Sequence, residues 1–459
     1  MNDVDARSTR NAALSYIRKE FLDIYNRLHS IDEDLTFVNQ VRLAYKDLPI
    51  LSNLRCGAWY TDPSTSVPIP AYFKSTDGHF SNWSFNLRRP NLHLLALVEE
   101  QKGMILVDST RAGKKIPDAL SKTVPIWCAV VNRAMRIRHP EIAINWDTEL
   151  YTPPSTVSSQ EHDQILPLLD GWAEALAKSS YTLPRLQYPL RPMWITPSTS
   201  SFPQVGSDPG FYPVICVSAS KQVEDGLERR SSGFTYIQGS GDDHEAWGMG
   251  LVPEMFWSHR AELLTSNQTE LQSLIASIVA ASPTQRGEPP TILSKVESRL
   301  AICQNSGLPC PSLGDDFVYL VLSEDDVDVG GHLQVERIKT LPGKKGQTQL
   351  LSIVLPQAMA FVQSALVKGR SVCVSCDTGK DVSVGVVVTA LQMFFDDNGR
   401  LAMTSGPRKG EIECLDKQSI RTRLEWIISE RPQANPSRST LKRVNEFLLS
   451  PETYRNAQS

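Results

Sequence analysis

Cysteine is sparse in this chain: eight residues are scattered over 459, too few and too dispersed for the disulfide framework of a small secreted domain. The opening Met1-Asn2-Asp3-Val4-Asp5 has no apolar core of the kind a secretory signal carries. No uninterrupted apolar run approaches the roughly 18 residues that a bilayer-spanning helix needs. The expectation is therefore a cytoplasmic chain with no membrane partner. Strong charge of one sign is missing too, and a formal net charge of −4 gives no global pull toward nucleic acid. Cys373 and Cys376 form a C-x-x-C with no second C-x-x-C to complete a zinc site. Redox or zinc chemistry would have to enlist Cys303 and Cys310 as distant partners, and strand alternation places Cys373 in the core. No internal repeat at a solenoid period is visible.

What is present is the composition of a folded protein. Hydrophobic residues at 41% and charged residues at 21% exclude wholesale disorder, and the length allows two or three domains with sizeable cores. Apolar residues at helical spacing predict an amphipathic helix over Arg10 to Ile31. Prolines crowd the stretch from Tyr151 to Pro213, so long regular elements are not expected there beyond a helix over Asp163 to Ser179. Val214 to Ser218 reads as a buried strand. The run Ser282 to Pro290 loses apolar periodicity and gathers Pro, Gly and charge, marking a linker. The expected division is residues 1–285 and 286–459. Beyond it lie a strand at Phe317 to Leu322, a helix at Leu355 to Leu366, and a last helix from Ser437 to Leu449.

Two stretches read as strand, polar turn, helix. In the first, Val107-Asp108-Ser109-Thr110-Arg111-Ala112-Gly113-Lys114-Lys115 follows an apolar run. In the second, Ser371 to Ser375 feeds Cys376-Asp377-Thr378-Gly379-Lys380-Asp381 and then the apolar run Val384 to Phe395. Such turns converge backbone N–H groups on an anion while the helix N-terminus adds partial positive charge. The first turn reads equally as a capped helix start with Ser109 or Thr110 as cap. Between Lys102 and Arg138, eight basic residues stand against two aspartates. Lys115, Lys122, Arg133, Arg136 and Arg138 are the RNA-contact candidates from that stretch, a solvated helix face being the alternative. Asp242-Asp243-His244-Glu245 follows Gly239-Ser240-Gly241. Three close carboxylates repel unless a cation or an arginine neutralises them, so this turn is either a Mg²⁺ or general-base site or a solvated cap. Lys74, Asp77 and His79 form a similar polar cluster.

The spacing Cys376-x-x-Gly379-x-x, with Ser383 one place further on, resembles the dual-specificity protein phosphatase loop. Ser375 stands where that family has a His, and Val382 stands where it has the Arg that forks two donors onto phosphate. Phosphatase turnover is not expected. Over its full length the chain resembles the initiator tRNA phosphoribosyl transferases, or tRNA adenosine-64 2′-O-ribosylphosphate transferases. The stretches that carry the resemblance are Phe73-Lys74-Ser75-Thr76-Asp77-Gly78-His79, Val107 to Lys114, Pro125-Ile126-Trp127-Cys128 and Gln238-Gly239-Ser240-Gly241-Asp242-Asp243-His244-Glu245-Ala246-Trp247.

That resemblance implies a pentosyltransferase with an N-terminal mixed α/β domain and a C-terminal dual-specificity-phosphatase-like α/β domain. It implies transfer of phosphoribosyl from 5-phosphoribosyl-1-pyrophosphate to the 2′-hydroxyl of a T-stem adenosine of initiator tRNA, with Mg²⁺ on the donor's pyrophosphate. Asp108, Asp242, Asp243 and Glu245 are the catalytic candidates, Asp242 and Asp243 doubling as metal ligands. Ser109, Thr110, Arg111, Gly113 and Lys114, with Cys376, Asp377, Thr378, Gly379, Lys380 and Asp381, are the phosphate and donor candidates. The alternative is a catalytically dead phosphatase-like module that binds phosphorylated RNA or protein.

Overall fold

The computed structural model describes residues 18–54, 56–75, 82–141, 146–206, 208–282, 287–327, 329, 334–402 and 416–449. Asp77 and His79 of the polar cluster, residues 10–17 of the expected first helix and 283–286 of the expected linker lie outside them. The chain forms two compact units. The second takes in Pro283 to Ser459 together with two short upstream segments, Leu87–Arg89 and Ser179–Thr182, which the sequence places in the first domain. Hydrogen bonds account for the reassignment: Ser180 donates from N and Oγ to Glu425 Oε2, both at 2.8 Å, and Tyr181 Oη donates to Leu87 O at 2.6 Å.

The first unit is built on a four-stranded, all-parallel sheet in the order β1-β2-β4-β3 (Ile50–Ser52, Met104–Asp108, Tyr212–Ser218, Leu190–Ile195). The central β2 and β4 are buried at every residue. That is why both read as unbroken aliphatic runs rather than alternating ones. Their register sets Asp108 opposite Ser218, so the two strands end level. Strand β3 arises within the proline-rich stretch, against expectation; Pro192 is accommodated because β3 is an edge strand. The first described long helix, α1 (Ile24–Ala44), runs past the predicted end at Ile31. Asp23 starts it by accepting from Asn26 N at 3.2 Å, and Leu28, Ile31, Leu35, Val38 and Val41 continue its buried stripe. Helix α2 (His93–Gln101) precedes β2, and α3 (Val124–Arg138) follows the Asp108 loop with a largely buried surface. The helical stretch predicted at Asp163 to Ser179 is two segments, Ser159–Ile165 and Leu169–Lys178. A small hairpin of β5 (Leu227–Arg229) and β6 (Thr235–Ile237) precedes the Gly239 turn.

The second unit carries a five-stranded sheet, β10-β9-β11-β8-β7 (Val335–Lys339, Phe317–Ser323, Ser371–Cys376, Leu300–Gln304, Thr291–Ile292), parallel except at β7. Strand β11 is central and buried throughout. Helix α4 (Leu355–Val367) ends a continuous helical run that begins at Gly343. That run is long enough to cross a membrane, and an 18-residue window within it has a mean hydropathy of 1.8, so it meets the requirement by length and composition alone although no unbroken apolar run is present. Interruption by Ser, Pro and Gln hid it from a search for unbroken runs. Leu355, Ala358, Met359, Val362 and Leu366 are buried in the unit, so the apolarity supplies an interior face here. Helix α5 (Val382–Phe394) follows the β11 loop, then α6 (Lys417–Glu430) and α7 (Arg438–Leu449). Helix α6 had no counterpart in the sequence reading, although Asp416 and Ser419 form a capping box at its start.

Candidate functional site

In open parallel sheets the crevice beyond the carboxyl ends of the strands is where ligands bind. In the first unit four segments meet there: residues 53–54 and 56–60 after β1, 108–115 after β2, 218–221 after β4, and 237–243 after β6. Asp108 is fully buried and its carboxylate is occupied. Oδ2 accepts from Asn53 Nδ2 at 2.8 Å, and Oδ1 accepts from Cys56 Sγ at 2.9 Å and from Ser109 N at 2.8 Å. This geometry makes Asp108 an anchor of the loop. Burial and the neighbouring Asp108 push the Cys56 thiol well above its usual range, so it stays a donor.

The Gly239 turn packs directly on the loop. Gln238 Nε2 donates to Lys114 O at 2.7 Å and to Arg111 O at 3.2 Å. Gly239 has φ +72, and a Cβ there would stand 2.6 Å from Thr110 O and 2.7 Å from Arg111 N. Only glycine allows that approach of backbone to backbone. The buried Tyr60 hydroxyl joins the segments, accepting from Gly241 N at 2.9 Å with Ser220 Oγ 3.4 Å away. Beneath them, Ser220 Oγ is 2.6 Å from Ser109 Oγ and 2.7 Å from Asp34 Oδ2, and Tyr236 Oη donates to Asp34 Oδ1 at 2.7 Å. Burial raises the Asp34 carboxyl to about 8, overcoming the opposing hydrogen bonds.

The predicted loop and the predicted acidic turn are thus brought together. Arg111 and Gly113 are exposed, Lys114 is half-buried and pairs with Asp118 at 3.0 Å, and Thr110 is buried with its Oγ1 lacking a protein partner. The Trp59 Nε1, from the segment on which Gly241 packs, is also buried without a partner. Unmatched buried donors of this kind are rare unless a ligand or water completes them. Asp242 is half-buried, while Asp243 and Glu245 are exposed, Asp243 at φ +47. Arg27 of α1 ties down this turn: its Nη1 donates to Ser240 O at 3.0 Å, and burial lowers its pKa against the opposing charges of Tyr60, Asp242 and Asp243. Among the described residues no three His, Cys, Asp or Glu side chains converge as a metal site. Asp242 and Asp243 therefore stand as two carboxylates of one turn, with no third such ligand grouped with them among the described residues.

The basic candidates are dispersed. Lys122 pairs with Glu161 at 2.8 Å, Arg133 with Asp170 at 2.8 Å, and Arg138 Nε donates to Ala177 O at 2.8 Å. These three help fix neighbouring segments. Lys115 is half-buried and Arg136 is exposed.

In the second unit the loop after β11 is tied down by its own acids. Asp377 Oδ1 accepts from Asn305 Nδ2 at 2.7 Å and Ser323 Oγ at 2.8 Å, and Asp381 Oδ1 accepts from Ser437 N at 2.9 Å. Cys376 Sγ is buried 3.1 Å from Ser383 Oγ, Thr378 Oγ1 accepts from Lys380 N at 3.2 Å, and Lys380 pairs with Glu288 at 3.6 Å. Under the loop lies Arg431, fully buried, donating from Nε to Gly379 O at 2.9 Å and from Nη1 to Thr291 Oγ1 at 2.8 Å. Gly379, at φ +62, leaves room for that guanidinium; a Cβ would come within 2.9 Å of it.

The family model for the Rit1 N-terminal domain matches residues 17–280, more than half of the chain, and that for the Rit1 DUSP-like domain matches residues 335–448. The chain belongs to the Rit1 family. A Saccharomyces cerevisiae protein named tRNA A64-2′-O-ribosylphosphate transferase is 33% identical, the match covering 94% of this chain and 93% of that one. An uncharacterized Schizosaccharomyces pombe protein is also 33% identical over 93% and 94% of the two chains. Among solved structures, human DUSP28 matches at 14% identity and a TM-score of 0.26, covering 37% of this chain and 97% of its own.

In this Rit1-family chain the architecture is α/β in both units, and the second contains the DUSP-like domain. Several residues that shape the first site had no signal in the sequence. Asp34, Tyr60 and Ser220 reach the loop from elements far away in the chain, and Arg27 does the same for the acidic turn. Gln238 could have been found, since it opens the Gln238-Gly239-Ser240-Gly241 motif.

Proposed function

We propose that this chain is a pentosyltransferase that moves phosphoribosyl from 5-phosphoribosyl-1-pyrophosphate to the 2′-hydroxyl of the T-stem adenosine-64 of initiator tRNA, and that the first-unit crevice holds the donor. Full-length likeness to the yeast transferase carries the reaction; the unpartnered Thr110 hydroxyl beside Arg111 and Lys114 carries the placement. Loss of pyrophosphate leaves an oxocarbenium-like sugar, so the main task is to stabilise the departing anion and hold the hydroxyl close. In this reading Thr110 Oγ1, Arg111 and Lys114 face the donor's anionic groups, while Asp108, Tyr60 and Gln238 keep the loop in place. Asp242, Asp243 and Glu245 border the cationic sugar, with Arg27 holding their turn. Mg²⁺ brought in with the donor would offset the charge of the departing pyrophosphate.

The experiment is transfer of labelled donor to initiator or elongator tRNA. Label at the T-stem adenosine of the initiator alone is expected. No transfer favours the phosphate-binding module, a reading kept alive by Ser375 and Val382 in the second loop; equal labelling of both tRNAs removes the specificity.

A further inference from the structure

The second unit has a cationic cleft that none of the motifs above includes. Its volume is about 500 Å³, and Arg88, Lys417, Arg438, Lys442, Asn445 and Glu446 line it. Four cations face one carboxylate. Arg438, Lys442 and Asn445 lie at i, i+4 and i+7 on one face of α7. The opposite face is fixed in the interior through Thr440, Val444, Phe447 and Leu448. Gly385 of α5 permits this docking, since a Cβ there would stand 2.7 Å from the Thr440 methyl. The cationic face is therefore mounted on a rigid element.

Glu446 is shared between Arg443, at 2.5 Å, and Lys442, at 3.8 Å. Among the described residues neither Lys417 nor Arg438 has a carboxylate partner, and both are exposed. Arg88 is anchored through Nη1 to Pro436 O at 3.3 Å. Burial, and then the nearby charge of Arg438, lower its pKa from the ordinary value.

We propose that this cleft grips consecutive phosphodiesters of the tRNA substrate. The inference rests on the transferase reading above. Spread along more than one turn of α7, the cations suit a chain of phosphates better than a single phosphate clamped from all sides. Lys417 and Lys442 act as point charges, and the guanidiniums of Arg88 and Arg438 as forks. Contacts of this kind position the RNA without reading its sequence.

The test uses the full-length protein and tRNA binding by fluorescence anisotropy over a salt series. Arg438→Ala with Lys442→Ala should weaken binding at least about tenfold at 0.15 M salt and flatten the log–log slope by about 1.4 to 1.8, the loss of two phosphate contacts. The charge-conserving pair Arg438→Lys with Lys442→Arg should restore most of the slope, and Lys417→Ala alone should flatten it by about half as much. The KM for donor, at saturating tRNA, should not move. Unchanged slope and affinity in a folded double variant overturn the proposal. So does weakened binding of inorganic pyrophosphate or of a phosphopeptide without weakened binding of tRNA. A wild type that binds tRNA through the cleft but transfers nothing sinks the transferase reading alone; one that transfers while its double variant binds tRNA normally sinks the cleft alone.

Discussion

The loop after β2 and the loop after β11 each follow a central, fully buried parallel strand and each lead into an interior helix. Their supports differ in kind. Beneath the first lie two buried acids: Asp108, which bonds the loop directly, and Asp34, which reaches it through Ser220 and Ser109. Beneath the second lies the buried Arg431. Their outer surfaces differ too: the first presents Arg111 and Lys114, whereas in the second Lys380 lies between Asp377 and Asp381. A position at the carboxyl edge of a sheet offers backbone N–H groups to an anion, but side chains decide whether net charge welcomes it. Where a guanidinium lies below the loop and donates to its carbonyl, that cation is spent on holding the backbone and is withheld from a ligand.

The largest effect expected from this contrast is structural. Arg431→Met should destabilise the second unit by about 3 kcal/mol, because Gly379 O, Thr291 Oγ1 and Glu288 all lose a charged donor. Arg431→Lys should recover little, since one ammonium cannot span the three acceptors. Chemical denaturation reads the result, and wild-type stability of either variant would show that the loop holds itself.

Next comes chemistry. Arg111→Ala should lower turnover at saturating donor by about 10²-fold, the usual cost of removing one donor to a developing anion. Lys380→Ala and Cys376→Ser should each change it by no more than about twofold. Lys380 is already paired with Glu288, and the Cys376 thiol is buried against Ser383. If Lys380→Ala is the damaging change, the donor sits in the second loop and the comparison reverses.

The last effect concerns the acid below the first loop. Asp34 has a folded pKa of about 8 against about 3.9 in an unfolded chain. Between those values the native state holds a proton that the unfolded state has lost, so this group makes stability fall as pH rises. The slope is at most about 1.4 kcal/mol per pH unit. Asp34→Asn should flatten the stability profile between pH 4 and 8, as thermal melts across that range will show. An unchanged profile would mean that Asp34 titrates like an exposed carboxylate.

Much of the fold was legible because local pattern records burial. Strands β2, β4, β9 and β11, and helices α5 and α7, lie close to where aliphatic runs and helical spacing placed them. Strand β3 was hidden because Pro192 reads as a breaker until its edge position is known. The end of α1 was misplaced because its buried stripe continues beyond Ile31 through polar neighbours. Helix α6 was missed although its capping box at Asp416 and Ser419 was available to be read.

By itself the sequence determined the two strand–turn–helix units, the loss of the phosphate-forking arginine at Val382, the acidic turn after Gly241 and the family to which these motifs belong. Each is a short-range pattern, and the backbone geometry that it demands is set by its own residues. Tertiary structure alone decided that the Asp108 loop and the Asp242 turn share one crevice, that Arg27 bonds the backbone of the acidic turn, and that Arg431 lies beneath the second loop. Those pairings join residues from 52 to more than 200 positions apart. Charge and hydrogen-bonding capacity are local properties of a sequence, but the partner that satisfies them is chosen by chain packing.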